Sequence, residues 1–233
     1  MNETVKAHSP DEVAAKFGYS FYTGTTQPEL DERVQLGKLL LVAAETPLLR
    51  YPLEVTHTRD RKPDFRLAMG STFVGVEATK VANERLEQAR VLHRERGLGT
   101  ICISSYLKEP SERRTREQDF KDSFLMSSFV MGNTIEDEDE FWIKQAEKIL
   151  RRKADIFRRS NFERQQENWL LLWDKLRSSD WDLQRRIPML SALLQEFWGH
   201  DWFSKVILEQ NQFQCLVILS QDGVTWLEGH SAF

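Results

Sequence analysis

The sequence predicts an α/β fold, a mixed central sheet flanked by helices, on three observations. Between Pro28 and Glu45 apolar residues recur at three- to four-residue steps, with Leu30, Val34, Leu40 and Leu41 among them, which is the period of an amphipathic helix. Between Tyr51 and Thr79 three runs alternate or carry β-branched residues, and a charged turn and a Gly-Ser pair divide them. From Asn168 onward come a short apolar run, a helical stretch and a strand–turn–strand tail.

Composition bounds the class. The 233 residues are enough for a substantial core, and 40% hydrophobic with 29% charged residues is ordinary for a globular protein. No apolar run approaches the roughly 18 to 20 residues that span a bilayer, and the N-terminal stretch lacks the apolar segment of a secretory signal. Cys102 and Cys215 stand alone and the five histidines are scattered, so neither a disulfide framework nor a zinc site is expected. A reducing, cytoplasmic setting is the plain expectation. A net charge of −4 argues against a protein that coats nucleic acid, though not against an enzyme acting on a phosphodiester.

Taken in order, residues 1–27 read as an extended lead-in with one short helix at Ser9-Pro10-Asp11-Glu12, where serine is a good N-cap. Pro28 suits the first turn of the next helix and Pro47 ends it. Strands follow at Tyr51–Thr58, Asp64–Met69 and Thr72–Thr79. On the last, period-2 counting puts Phe73, Gly75, Glu77 and Thr79 on one face, and Val74, Val76, Ala78 and Lys80 on the other. Residues 81–96 favour a helix that Gly97 and Gly99 stop. Thr100–Tyr106 reads as a strand or an irregular link. A helical insertion is expected at about 107–160, with its clearest helix from Phe141 to about Arg158. Asn168–Asp174 reads as a buried central strand or a helix turn. Asp182–Trp198 reads as helix despite Pro188. Strands then follow at Ser204–Glu209, Gln214–Ser220 and Val224–Glu228, the last two joined at Asp222-Gly223. Residues 28–233 are expected to form a single domain.

The stretch from Pro63 to Lys80, PDFRLAMGSTFVGVEATK, carries the chemistry. A hairpin here brings Asp64 and Glu77 to one end of the sheet, and two hard carboxylates beside a cation suit a divalent metal. Pro63-Asp64, followed after twelve residues by Glu77-Ala78-Thr79-Lys80, resembles the PD-(D/E)xK nuclease superfamily, the restriction-endonuclease-like fold. The resemblance covers about the first hundred residues and, in outline, the strand at 168–174. It implies that Asp64 and Glu77 hold Mg²⁺ or Mn²⁺, that the Ala78 carbonyl adds an oxygen, and that a glutamate of the first helix, Glu32 or Glu45, completes the site. It also implies a lysine that orients water and stabilises developing charge, at Thr79 or Lys80.

The spacing departs from the family there. Thr79 holds the usual lysine position and Lys80 lies one step on, which on a strand turns its side chain to the opposite face. Three readings remain: a lysine from elsewhere, such as Lys62 or Lys38, enters the site; a β-bulge re-aims Lys80; or the site is inactive.

The function that the resemblance implies is metal-dependent phosphodiester hydrolysis, with DNA the favoured substrate. The alternative is a catalytically degenerate nuclease-fold protein acting as a protein- or nucleic-acid-interaction module. The basic residues Arg151, Arg152, Lys153, Arg158 and Arg159 read as phosphate contacts or as a solvated face balanced by Glu136–Glu140. The Trp-rich C-terminal third reads as aromatic core or as a surface for a protein partner or a homodimer. Asp174 reads as a site-edge acid or a strand cap.

Overall fold

The computed structural model describes residues 4–17, 26–58, 62–81, 135–159, 161–174, 183–199, 202–210 and 215–228, with isolated positions between 88 and 96. Among the described residues there are eight strands in one mixed sheet and four helices. The chain divides into two compact units, one of residues 1–80, 151–174 and 193–233, the other of residues 81–150 and 175–192. The readings at 81–106 and 107–134 fall almost wholly outside the described residues.

The first unit holds the sheet. Its strands are β1 (Thr4–Ala7), β2 (Leu53–His57), β3 (Phe65–Met69), β4 (Thr72–Val81, which ends one residue into the second unit), β5 (Glu167–Asp174), β6 (Lys205–Gln210), β7 (Cys215–Ser220) and β8 (Gly223–Glu228), side by side in chain order. Strand β1 lies in what reads as a lead-in; it pairs antiparallel with β2 and sets Val5 against Val55. The helix expected after it is α1 (Pro10–Lys16), whose N-cap Ser9 hydroxyl accepts the Glu12 amide at 3.4 Å. The next helix, α2 (Gln27–Ala43), opens with the Glu29 carboxylate accepting the Thr26 amide at 3.3 Å, one half of a capping box.

Leu36, Leu39, Leu40 and Ala43 of α2 are buried in the main core. Val55 of β2, Phe65 and Leu67 of β3, Val74 and Val76 of β4, Trp169 and Leu171 of β5 and Ile207 of β6 share that core. Strand β5 is buried on both faces, so the apolar run from 168 is the central strand and not a helix turn. It pairs parallel with β6, while β6–β7 and β7–β8 are antiparallel. A parallel neighbour needs a crossover, and the connection carries α4 (Leu183–Leu194), which runs through Pro188. The remaining helix, α3 (Ile135–Arg158), begins six residues before the expected Phe141. Trp169, Trp173 and Trp202 are buried, so these three serve the interior; Trp226 of β8 is exposed.

Two glycines set the geometry of the β3–β4 hairpin. Gly70 opens a two-residue turn at φ 62, a conformation that costs glycine little. At Gly75 the backbone passes close to its neighbours: a Cβ would lie 2.8 Å from both Asn168 Oδ1 and Pro63 Cγ. Asn168 cannot swing aside freely, because its side-chain amide is bonded twice to the Gln165 backbone, at 3.1 and 3.0 Å. Gly75→Ala is therefore expected to cost about 1–3 kcal/mol by overpacking, measured by urea denaturation of the two proteins. An unchanged midpoint would mean that Pro63 gives way at no cost.

A buried acid lies away from this hairpin. Glu209 of β6 is 2% exposed and pairs with Lys38 of α2 at 2.8 Å. The Lys38 ammonium also stands 5.6 Å from the centre of the Trp173 ring. Burial pushes the Glu209 carboxyl up to about 7, against the pull of Lys38.

Candidate metal and phosphate site

The two-residue turn pairs Met69 with Thr72 and Phe65 with Val76. Carried one step further, that register sets Asp64 against Glu77 on the same face, opposite to the face of Val74, Val76 and Ala78. Both carboxylates are buried, at 5% and 0% exposure. An Asp64 carboxylate oxygen accepts the Ala78 amide at 2.9 Å, so the aspartate is tied to the neighbouring strand. On its other side the Thr58 amide donates to the Asp64 carbonyl at 2.8 Å, and the Thr58 hydroxyl donates to the Pro63 carbonyl.

The cation between the carboxylates is Lys62. Its ammonium pairs with Asp64 and reaches Glu77 at 2.9 Å. Its backbone is anchored as well, because Lys62 bridges to Phe162 and its carbonyl accepts the Glu163 amide at 2.9 Å. A second ammonium, Lys153 of α3, donates to Glu77 at 2.6 Å and lies 3.4 Å from the Ala78 carbonyl. Two carboxylates thus face two ammonium groups.

Burial raises the Asp64 carboxyl, and the charge of Glu32 adds to the shift against Lys62 and Lys153. Burial likewise raises Glu77, helped by the Asp64 charge and opposed by Lys153 and Lys62. Burial alone would lower Lys62, but the two carboxylates outweigh it and hold the ammonium above the ordinary lysine range.

The structure gathers some of the sequence candidates and disperses others. Lys62, one of the two lysines proposed to migrate, is in place; Lys38 is engaged with Glu209 instead. Lys80 is not in the site. Strand β4 runs on through it to Val81, and its half-exposed ammonium reaches Asp31 at 3.8 Å. Thr79, on the Glu77 face, is half-buried. Of the two helix glutamates, Glu32 stands near the pair, close enough to shift Asp64, and its carboxylate lies 3.7 Å from His57 Nε2. Glu45 is exposed beyond the end of α2, where its charge bears on Tyr51. Asp174 is buried at the end of β5.

Lys153 is the site residue that sequence reading missed. A signal for it exists: it falls three residues after Leu150 and four before Phe157, both buried, so it occupies an apolar-stripe position of its helix. A cation there requires a buried counter-charge.

The donor set fits a hard divalent ion. Asp64, Glu77 and the Ala78 carbonyl offer oxygen only, and Mg²⁺ commonly takes one or two carboxylates together with substrate phosphate. The second Glu77 oxygen, Oε2, is buried without a hydrogen-bond partner, an acceptor that a cation would satisfy. Among the described residues no three His, Cys, Asp or Glu side chains are grouped to hold a metal, so protein carboxylates alone would supply two of the ligands.

Beside the pair opens a cavity of about 710 Å³, lined by Lys62, Asp64, Glu32, His57, Ile156 and Arg159 among others. Among the described residues no helix is long and apolar enough to cross a membrane. Comparison with protein-family models, with curated proteins and with solved structures returned no match.

Proposed function

We propose that the Asp64–Glu77 pair is the metal-holding centre of a phosphodiester hydrolase of the PD-(D/E)xK type, with DNA as its substrate. The observation that carries this reading is the convergence of two buried carboxylates from adjacent strands on one ammonium, with a second ammonium behind them. The chain order of α2, β2–β4 and the central β5 supports the restriction-endonuclease-like assignment.

Asp64, Glu77 and the Ala78 carbonyl would hold Mg²⁺ or Mn²⁺. When bound, such an ion lowers the pKa of water and offsets charge on the scissile phosphate. The remaining work belongs to the chain. The Ala78 amide and Lys153 hold the two carboxylates in place. Lys62 and Lys153 replace the lysine that the motif expects at position 79, offering ammonium groups to the negative charge that develops on phosphate. Their fixed placement means that little reorganisation accompanies the reaction.

The test is calorimetric titration of Mn²⁺ into the wild type and Asp64→Ala, then cleavage of linear, nicked and single-stranded DNA. Binding by the wild type alone, and cleavage abolished in Glu77→Ala, are the expected results. No heat of binding at millimolar Mn²⁺ would sink the metal centre.

One observation favours a second reading, a nuclease-fold protein acting as an interaction module. Two carboxylates balanced by two ammonium groups form a charge-closed cluster that needs no ion. Absence of both metal binding and cleavage would select it.

A further inference from the structure

We infer that the cavity beside Asp64 is the entry of a groove for a single nucleic-acid strand, with Arg152 and Arg159 gripping its phosphates. This inference rests on the reading of the carboxylate pair as a phosphodiester site and specifies the form of its substrate. Asp64 and Glu77 lie below the surface, at 5% and 0% exposure, and the pair is reached beside Lys62 and Asp64, which line the cavity. A phosphate must therefore leave the protein surface to meet it. A flexible strand bends into a recess at small cost, whereas a duplex is stiff on this scale and bending it costs several kcal/mol.

The charges around the cavity point the same way. Of its acidic residues, Glu163 pairs with Arg66, Glu29 accepts the Thr26 amide, Glu32 faces His57 and Asp64 pairs with Lys62. Arg159 is exposed just past the end of α3 and lines the cavity, and its guanidinium makes no hydrogen bond or ion pair with a described residue. Arg152 is equally exposed and equally unengaged. It lies on α3 seven residues before Arg159, about two helical turns back from the end of the helix. Ile156, which also lines the cavity, follows Arg152 by four residues and so neighbours it on the helix face. These two guanidinium groups, without partners among the described residues, would form a short basic track that binds a strand by its backbone in a protein whose net charge is −4.

The test reads binding without metal, so that it does not depend on cleavage. Fluorescein-labelled oligo-dT and oligo-rU of roughly 12 nucleotides, within the reach of such grooves, and a duplex of about 20 base pairs are titrated in chelator at several salt concentrations. The wild type is expected to bind a single strand at least about tenfold more tightly than the duplex. The Arg152→Gln/Arg159→Gln variant should lose about tenfold or more in affinity, and its salt slope should fall by about 1.4, the share of two strand phosphates. Binding of either oligonucleotide supports the groove, and the comparison identifies the sugar it prefers. Lys6→Gln, on the edge strand β1, is the control and should match the wild type. The inference is overturned by no strand binding in the wild type, by equal affinity for duplex, by an unaltered double variant, or by an equal loss in Lys6→Gln. Strand binding that persists in a wild-type protein with no cleavage removes the hydrolysis reading and leaves the groove intact.

Discussion

Lys153→Met is expected to destabilise the protein by about 3 kcal/mol, the lower end of what breaking a buried ion pair costs. Glu77 is fully buried, and Lys153 is its closest cation, at 2.6 Å. Methionine fills nearly the same space but leaves the carboxylate with Lys62 alone at 2.9 Å. Part of the charge stays compensated, which is why the expected loss sits at the low end. The paired change Lys153→Met/Glu77→Leu should recover most of that loss, because removing both partners of a buried pair is often near neutral. Urea midpoints for the two single variants and the double variant form the cycle that measures it. A single-variant loss below about 1 kcal/mol would mean that Lys153 is held by packing rather than by charge. If the proposed hydrolysis is correct, Lys153→Met also lowers turnover by about 10²–10³, the usual effect of losing one preorganised donor.

The second large effect is a pH dependence centred on Glu209. Its carboxyl rises from 4.5 unfolded to about 7 in the folded protein. Between those values the folded chain keeps a proton that the unfolded chain releases, so stability falls as pH rises through the window. The full deficit, about 3 kcal/mol, is present above the folded value and absent below the unfolded one. Asp64 and Glu77 are shifted in the same direction and add to the slope. Glu209→Gln should therefore be the more stable protein at pH 8 by about 3 kcal/mol and lose the advantage near pH 4. Denaturation at both pH values checks it. A variant that matches the wild type at pH 8 would show that Lys38 compensates the carboxylate fully.

Much of this fold was legible in the sequence because its signals are local. The β3–β4 hairpin is written in a Gly-Ser turn and in alternating residues, and the alternation that turns Lys80 away from Glu77 accords with its pairing to Asp31. Strand β5 is written in one apolar run. What escaped reading depends on partners distant in sequence. Strand β1 is four residues long and is defined by its pairing with β2 about fifty positions later, not by a pattern of its own. Lys62 is named by the sequence only beside Lys38 as a lysine that could enter the site, and the choice between them comes from the bridge to Phe162 and the two carboxylates. Lys153 sits among neighbouring arginines that mask its place on the apolar stripe of α3. The carboxylates were legible and Lys62 was one of two candidates, but Lys153 was not read as their partner.

The anchoring of Lys62 bears on how the protein comes to be loaded. Its backbone is fixed to residues 162 and 163 and its ammonium already lies between Asp64 and Glu77, so the pocket is assembled and nearly neutral with protein groups alone. The charges of the pocket are thus matched by protein groups, in contrast to small domains whose ligand sets need an ion to hold them together. In the proposed hydrolase an incoming ion would share the two carboxylates with a lysine already held between them. Its occupancy would follow the ambient level of free ion, with substrate phosphate adding ligands of its own.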